Sequence, residues 1–184
     1  MATIHSIQQF IGSFNGGTRP NRFRISGTSP TENGQTLFPE TLCTASSIPE
    51  SIIGSIPIPF RGRIYKFPGD RVYNDWTVTM YDDTEKNAVW GFWHDWSQKF
   101  NSHENNTASD RRHVSNFCVD LSVEHLDHQT EYSTKVIRLL NAWPIQVGPI
   151  ALDMAAANQL SQFQVQIAYT HYTYQYPAPA PVSG

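Results

Sequence analysis

The apolar period of this chain changes between Trp76 and Phe100, and that change fixes one strand followed at once by one helix. Trp76, Val78 and Met80 alternate with Thr77, Thr79 and Tyr81, the two-residue period of a strand with one buried face. Val89, Phe92, Trp93, Trp96 and Phe100 then recur at helical spacing. Asp82, Asp83 and Thr84 stand between the two patterns and offer side-chain oxygens as N-caps. Upstream, Gly69-Asp70 reads as a turn feeding this strand, which Asp75 begins.

Most of the remaining chain reads as strand. Leu121 and Val123 continue an alternation that runs from Asn116 to His125, a half-buried antiparallel strand. A polar turn at Asp127, His128 and Gln129 and a β-branched return over Ser133–Leu140 complete a hairpin. Phe163, Val165, Ile167 and Tyr169 alternate with polar partners, and the apolar phase slips at Tyr172, Tyr174 and Tyr176, which marks a bulge or the strand's end. Trp143-Pro144 and Gly148-Pro149 read as a connection pinned by a buried ring, and 151–160 fits neither period. Near the start, Ile7, Phe10, Ile11 and Phe14 form a short helical stripe stopped by Gly16-Gly17, and Asn21–Gly27 is a first strand. Thr28–Glu40 is a loop in which Asn33-Gly34 suits a brief hairpin. One helix against many strands predicts a mainly β fold of two packed antiparallel sheets, a sandwich or small barrel, with one flanking α-helix. A length of 184 residues fits a single domain, with 177–184, PAPAPVSG, as an extended tail.

One segment resists this scheme. Ile48–Phe67 is apolar, yet Pro49, Pro57 and Pro59 bar it from the middle of a sheet. It must lie on an edge or form an arm, and it either covers its own core or packs against another molecule.

Composition narrows the function. Charged residues are only 16% of the chain and the net charge is −3, with 13 basic residues spread against 16 acidic ones. Nucleic-acid clamps need clustered Lys and Arg, so none is expected. Met1–His5 has neither a basic stretch nor a sustained apolar run, so the chain is expected to stay in the cytosol. No segment is apolar for long enough to suit a membrane helix. Cys43 and Cys118 lack metal-type spacing and read as free packed thiols, with a bridge between subunits left open.

The side chains that invite chemistry do not assemble into a set. His125 and His128 sit at a strand end and a turn, and His94 and His103, with Asp95 and Glu104 nearby, lack a third ligand. Asp70 and Asp75 are better explained by backbone turns than as a carboxylate pair. No phosphate loop, nucleophile elbow or HExxH occurs. These residues give no catalytic set, metal site or cofactor, and absent motifs do not by themselves exclude an enzyme. Trp93 and Trp96 belong to the buried stripe, whereas Trp90 falls off it and is either exposed or a contact to a neighbour.

Three stretches carry a family resemblance: Arg19-Pro20-Asn21-Arg22-Phe23, the run PGDR-x-x-x-DWTVT over 68–79, and Trp143-Pro144-x-x-Val147-Gly148 before the last long strand. In order and spacing the chain resembles the tail tube proteins of contractile-tailed, T-even-type bacteriophages from about Ile7 to Tyr174. The resemblance implies a non-catalytic structural subunit that self-assembles into stacked hexameric rings, a hollow conduit for genome delivery inside a contractile sheath. It implies partners (further copies, sheath, baseplate and tail terminator proteins), DNA passing through the lumen without specific binding, and a place in the virion tail after assembly in the host cytoplasm. In that family the segment matching the arm stacks on the neighbouring ring, which makes Ile52, Ile53, Ile56, Ile58, Phe60, Arg61 and Arg63 the expected interface, joined by Trp90, whose off-stripe indole is costly to leave in water. Asp120, Glu124, Gln164 and Gln166 are the expected lumen-facing residues. The 28–39 insert and the 177–184 tail depart from the family pattern. Alternatives are the baseplate tube initiator, the tube of a secretion or injection particle, and, in another class, a carbohydrate-binding β-sandwich using exposed Trp90 and Trp143.

Overall fold

A computed structural model describes residues 7–14, 17–31, 34–84, 88–108, 116–127 and 132–176. In chain order the elements are α1 (Ile7–Ser13), β1 (Phe23–Ser26), β2 (Thr28–Thr31), β3 (Gly34–Leu37), a 3-10 turn (Glu40–Leu42), β4 (Cys43–Ser46), β5 (Ser51–Phe60) and β6 (Arg63–Tyr73). They continue with β7 (Trp76–Tyr81), α2 (Ala88–Gln98), β8 (Val119–Leu126), β9 (Ser133–Val147), β10 (Gln162–Ala168) and β11 (His171–Gln175).

The long strand β9 serves two halves of one antiparallel sheet system. Its first part pairs β8 on one edge and β11 on the other, with β1 outside β8. Its last part, Trp143 to Val147, pairs β10, which continues through β7 to β4. The strand bends at Asn141, which adopts φ +54° and lies at a register shift against β8. That left-handed residue leaves its own N–H without a ladder partner, and Asp120 Oδ1 accepts it at 3.1 Å. Inward residues of both halves share one hydrophobic cluster: Ile25, Leu121, Val123 and Leu139 from the first, Val78, Met80, Phe163, Val165 and Ile167 from the second. This is the expected pair of packed sheets.

Helix α2 flanks the cluster through Val89, Phe92, Trp93 and Trp96, all buried. Three buried indoles would each strand a donor, and each N–H is satisfied: Trp76 donates to the Ser47 carbonyl at 2.7 Å, Trp96 to the Phe117 carbonyl at 2.8 Å, and Trp93 to Met80 Sδ at 3.0 Å.

Several expectations are corrected. Gly69-Asp70 is no turn but the bulged part of β6, where two residues oppose the single Gly54 of β5. A Cβ on Gly69 would come within 3.2 Å of the Gly54 carbonyl, so the Gly answers to close backbone approach. The strand β7 opens at Trp76, one residue past Asp75. Helix α2 is described from Ala88, and because 85–87 lie outside the described residues, the expected capping by Asp82, Asp83 or Thr84 lies outside them too. Trp143-Pro144 is not a connection: both residues sit within β9, where Trp143 is only half-buried and packs on Phe100 at 5.5 Å. Strand β8 starts at Val119, later than Asn116, and the phase slip after Tyr169 is the passage from β10 to β11. The 28–40 segment does form a hairpin, β2 with β3, although residues 32–33 lie outside the described residues, as do Gly16, His128 and the 177–184 tail.

Candidate assembly surfaces

The arm is a two-stranded hairpin, β5 with β6, closed by Arg61 and Gly62 at φ +45° and +79°. Two successive positive φ values give the turn whose twist matches a right-handed ribbon. Each strand keeps one free edge, which is where Pro57 and Pro59 are tolerated. At about 3.3 Å per residue, ten residues of β5 carry the tip roughly 30 Å from its base. The base alone is anchored: Tyr73 packs on Tyr169 and Tyr172, and Asn74 donates to Glu50 at 2.6 Å.

Register sorts the arm into two faces. Ile52, Ile56, Ile58 and Phe60 are paired with Val72, Phe67, Tyr65 and Arg63 and share one side, almost wholly apolar. Their exposures, 50%, 54%, 44% and 66%, show that the subunit's own core does not cover them. Ile53 lies on the opposite side with Arg71, Lys66 and the two prolines. The tip is cationic, with Arg61 stacked over the Phe60 ring at 5.4 Å. Sequence reasoning set Ile48–Phe67 apart as one arm but did not divide it into two paired strands or carry it on to Tyr73; the Arg-Gly step between two apolar runs was the available signal.

The expected lumen residues separate. Gln164 and Gln166 project from the outer face of β10, beside Thr79 and Thr77 of β7 and Gln146 of β9. Asp120 and Glu124 project from the outer face of β8, in the other half, with the core between the two faces. The four therefore do not share one wall. Both acids are also paired: Asp120 with Arg138 and Glu124 with Arg24, each at 2.9 Å. Burial alone would raise the Glu124 carboxyl; the Ser133 hydroxyl and the Arg24 guanidinium outweigh it and hold the group below its usual range.

Trp90 is half-buried, leaning on the core cluster and stacked on His94 at 4.6 Å. Trp143, packed on Phe100, is half-buried as well, so both indoles are partly covered where a sugar platform needs open faces. His94 stacks on His103 at 5.5 Å, His125 Nε2 lies 3.0 Å from the Arg19 carbonyl, and no metal-type cluster of three or more ligands occurs among the described residues. Burial pushes the Cys43 and Cys118 thiols up to about 11. No helix of the described residues is long and apolar enough to cross a membrane.

A second apolar surface escaped the sequence reading. Leu152, Met154 and Leu160 stand 89%, 105% and 71% exposed in the irregular loop between β9 and β10. The α1 stripe, Ile7, Phe10 and Ile11, is also exposed. Period analysis detects faces that repeat, and the 151–160 loop has no period.

Surfaces of this kind characterise proteins that act by packing against other proteins. A family model described as phage tail tube protein matches residues 20–175. The tail tube protein of Serratia phage KSP90 is 28% identical over 172 residues, 92% of this chain and 95% of that protein. The tail tube protein of Enterobacteria phage T4 is 27% identical over 135 residues, covering 71% and 78%. Among solved structures, a chain of the anti-feeding prophage baseplate superposes with a TM-score of 0.65 at 10% identity, over 89% of this chain and 98% of that one. A chain of the PVC extracellular contractile injection system sheath-tube complex gives 0.58 at 14%, over 94% and 99%. At such identities these two establish a shared fold. The chain belongs to the phage tail tube protein family, a structural component of the virion tail and not an enzyme.

Proposed function

We propose that copies of this chain close into hexameric rings and that the rings stack into a hollow tube, the conduit for the genome inside a contractile sheath. The observation that carries this is the β5–β6 arm, a ribbon with one apolar face that its own subunit leaves uncovered. An apolar surface this extended is a liability in a monomer and is relieved when another molecule covers it. Ile52, Ile56, Ile58 and Phe60 then form the contact between rings, Arg61 and Arg63 its cationic tip, and Ile53 the reverse side. Trp90, half-buried and with one face stacked on His94, contributes only the part of its indole left uncovered. Free edges at β1 and β4 are available for lateral pairing, which would continue the sheets around the ring.

Of the two outer faces, the one bearing Gln164 and Gln166 makes the better channel wall. Its paired positions are Gln and Thr, without charge. DNA moves past such a wall without the counterion release that would hold it to Lys or Arg. Asp120 and Glu124 then lie on the other wall, their charges matched by Arg138 and Arg24. Sheath, baseplate and tail terminator proteins are the partners this assembly requires.

Electron microscopy of the purified protein tests the reading. Rings with six-fold class averages and stacked tubes with a Gln-lined lumen are the expected result. A protein that sediments as a monomer at high concentration, or a tube whose lumen is ringed by Arg, overturns it.

A further inference from the structure

The apolar arm needs a seat, and the same subunit offers a complementary surface at its other end. Strand β7 orders the two. The arm leaves the sandwich at the Trp76 end, since β6 finishes at Tyr73 and β5 starts at Ser51, shortly after Ser46 pairs with Val78. The 151–160 loop lies at the opposite end, where Gln162 pairs with Tyr81 and the Asp82 N–H donates to the Ser161 carbonyl at 2.9 Å. Arm and loop therefore occupy opposite poles of one fold.

Their chemistry matches. The loop shows Leu152, Met154 and Leu160 to solvent and borders an open groove of about 1150 Å³ with Tyr81 and Gln162. That space exceeds the usual small-molecule pocket and suits a protein segment. Charge is complementary as well. From Ser51 to Phe67 the arm carries Arg61, Arg63 and Lys66 and no acid, whereas the loop carries Asp153 and the adjoining β7 end Asp82 and Asp83, with no base among the described residues from Tyr81 to Thr84 and from Gly148 to Ser161.

We propose that the 151–160 loop, with Asp82 and Asp83 beside it, is the seat for the β5–β6 tip of the next copy of this chain. The proposal rests on the reading of the arm as the ring-to-ring contact and names what receives it. Different patches at opposite poles make a head-to-tail joint, which propagates along an axis and does not close on itself as a two-fold contact does. Apolar side chains supply the attraction and the Arg-Asp pairs its register.

Full-length protein carrying both Leu152→Ser and Met154→Ser is expected to fold, to retain rings and to need at least about tenfold more protein before tubes appear, since each joint loses two buried apolar side chains. Reversal at one pole, Asp153→Arg or Arg63→Asp, is expected to block stacking, and the two reversals combined to restore it. Circular dichroism checks that each variant is folded, so that loss of tubes reports on the joint. Normal tube yield from the loop double variant, or no recovery in the combined reversal, overturns the proposal. The arm variant Ile58→Asp separates the two readings. If it abolishes tubes while the loop variant forms them, the arm is the stacking contact and its seat lies elsewhere; if both form tubes, the reading of the arm itself falls.

Discussion

Replacing Ile58 by Asp should abolish stacking and leave the subunit folded. Ile58 is 44% exposed, and its row neighbours Ile52, Ile56 and Phe60 are 50%, 54% and 66% exposed. Full burial of such a side chain stabilises by about 1.5–3 kcal/mol, so roughly half of that, about 1 kcal/mol each, is still to be gained when a neighbour covers the arm. Four residues give about 4 kcal/mol per joint, a factor on the order of a thousand in the association constant. Asp at 58 removes one share and places a carboxylate in an apolar joint, which costs several kcal/mol more if it is unpaired. The two effects together exceed the gain, so tubes should be missing at concentrations where the natural sequence polymerises fully. The isolated subunit loses little, because Ile58 and its row neighbours are already largely exposed in it. Strand propensity bounds the loss at about 1 kcal/mol, or about 2–4 °C in Tm for a chain of this size. Sedimentation and negative-stain microscopy read the first quantity and thermal unfolding the second. Tubes at natural concentration refute the argument. So does a Tm drop above about 8 °C, which would mean that Ile58 covers its own core.

Three further outcomes follow from the sandwich itself. Leu139→Ala, at a position with 0% exposure, should cost about 2–5 kcal/mol by denaturant unfolding, since the core is already closed in the subunit. Gly148→Ala should cost about 1–3 kcal/mol by the same assay, because its Cβ would sit 2.6 Å from the Gln164 carbonyl of β10. Glu124 has a folded-state pKa below its ordinary 4.5, so its contribution is complete above the unfolded value and disappears as pH falls through the folded one. Tm measured from pH ~6 down to ~3 should therefore fall less steeply in Glu124→Gln than in the natural sequence.

The sequence made the core legible wherever a face repeats. Trp76, Val78 and Met80, Phe163, Val165 and Ile167, and Val89, Phe92, Trp93 and Trp96 of α2 are all buried as their periods require, whereas Phe100, the last of the helical series, lies past the end of α2 at Gln98 and is only partly buried. The readings that failed share another cause. Gly69-Asp70 and Trp143-Pro144 carry strong local signals for turns, yet β6 and β9 run through them, because a pairing partner far along the chain stabilises an extended backbone that local preference leaves open.

Sites divide in the same way. Pro49, Pro57 and Pro59 alone exclude the arm from a central sheet, so its peripheral place was determined by residue chemistry. That Ile52, Ile56, Ile58 and Phe60 share one uncovered face, while Ile53 takes the other, depends on pairing with β6 and on the bulge at Gly69. The grouping of Asp120 and Glu124 with Gln164 and Gln166 followed from alternation, which says that a residue points away from the core but not which of two sheets it leaves. Periodicity and proline thus settled the strand β7, the helix α2, the alternating parts of β8 and β10 and the separateness of the arm, since those are local properties of backbone and side chain. Which outer face a residue occupies, and the opposite placement of arm and 151–160 loop, arise only from long-range strand pairing around a shared core.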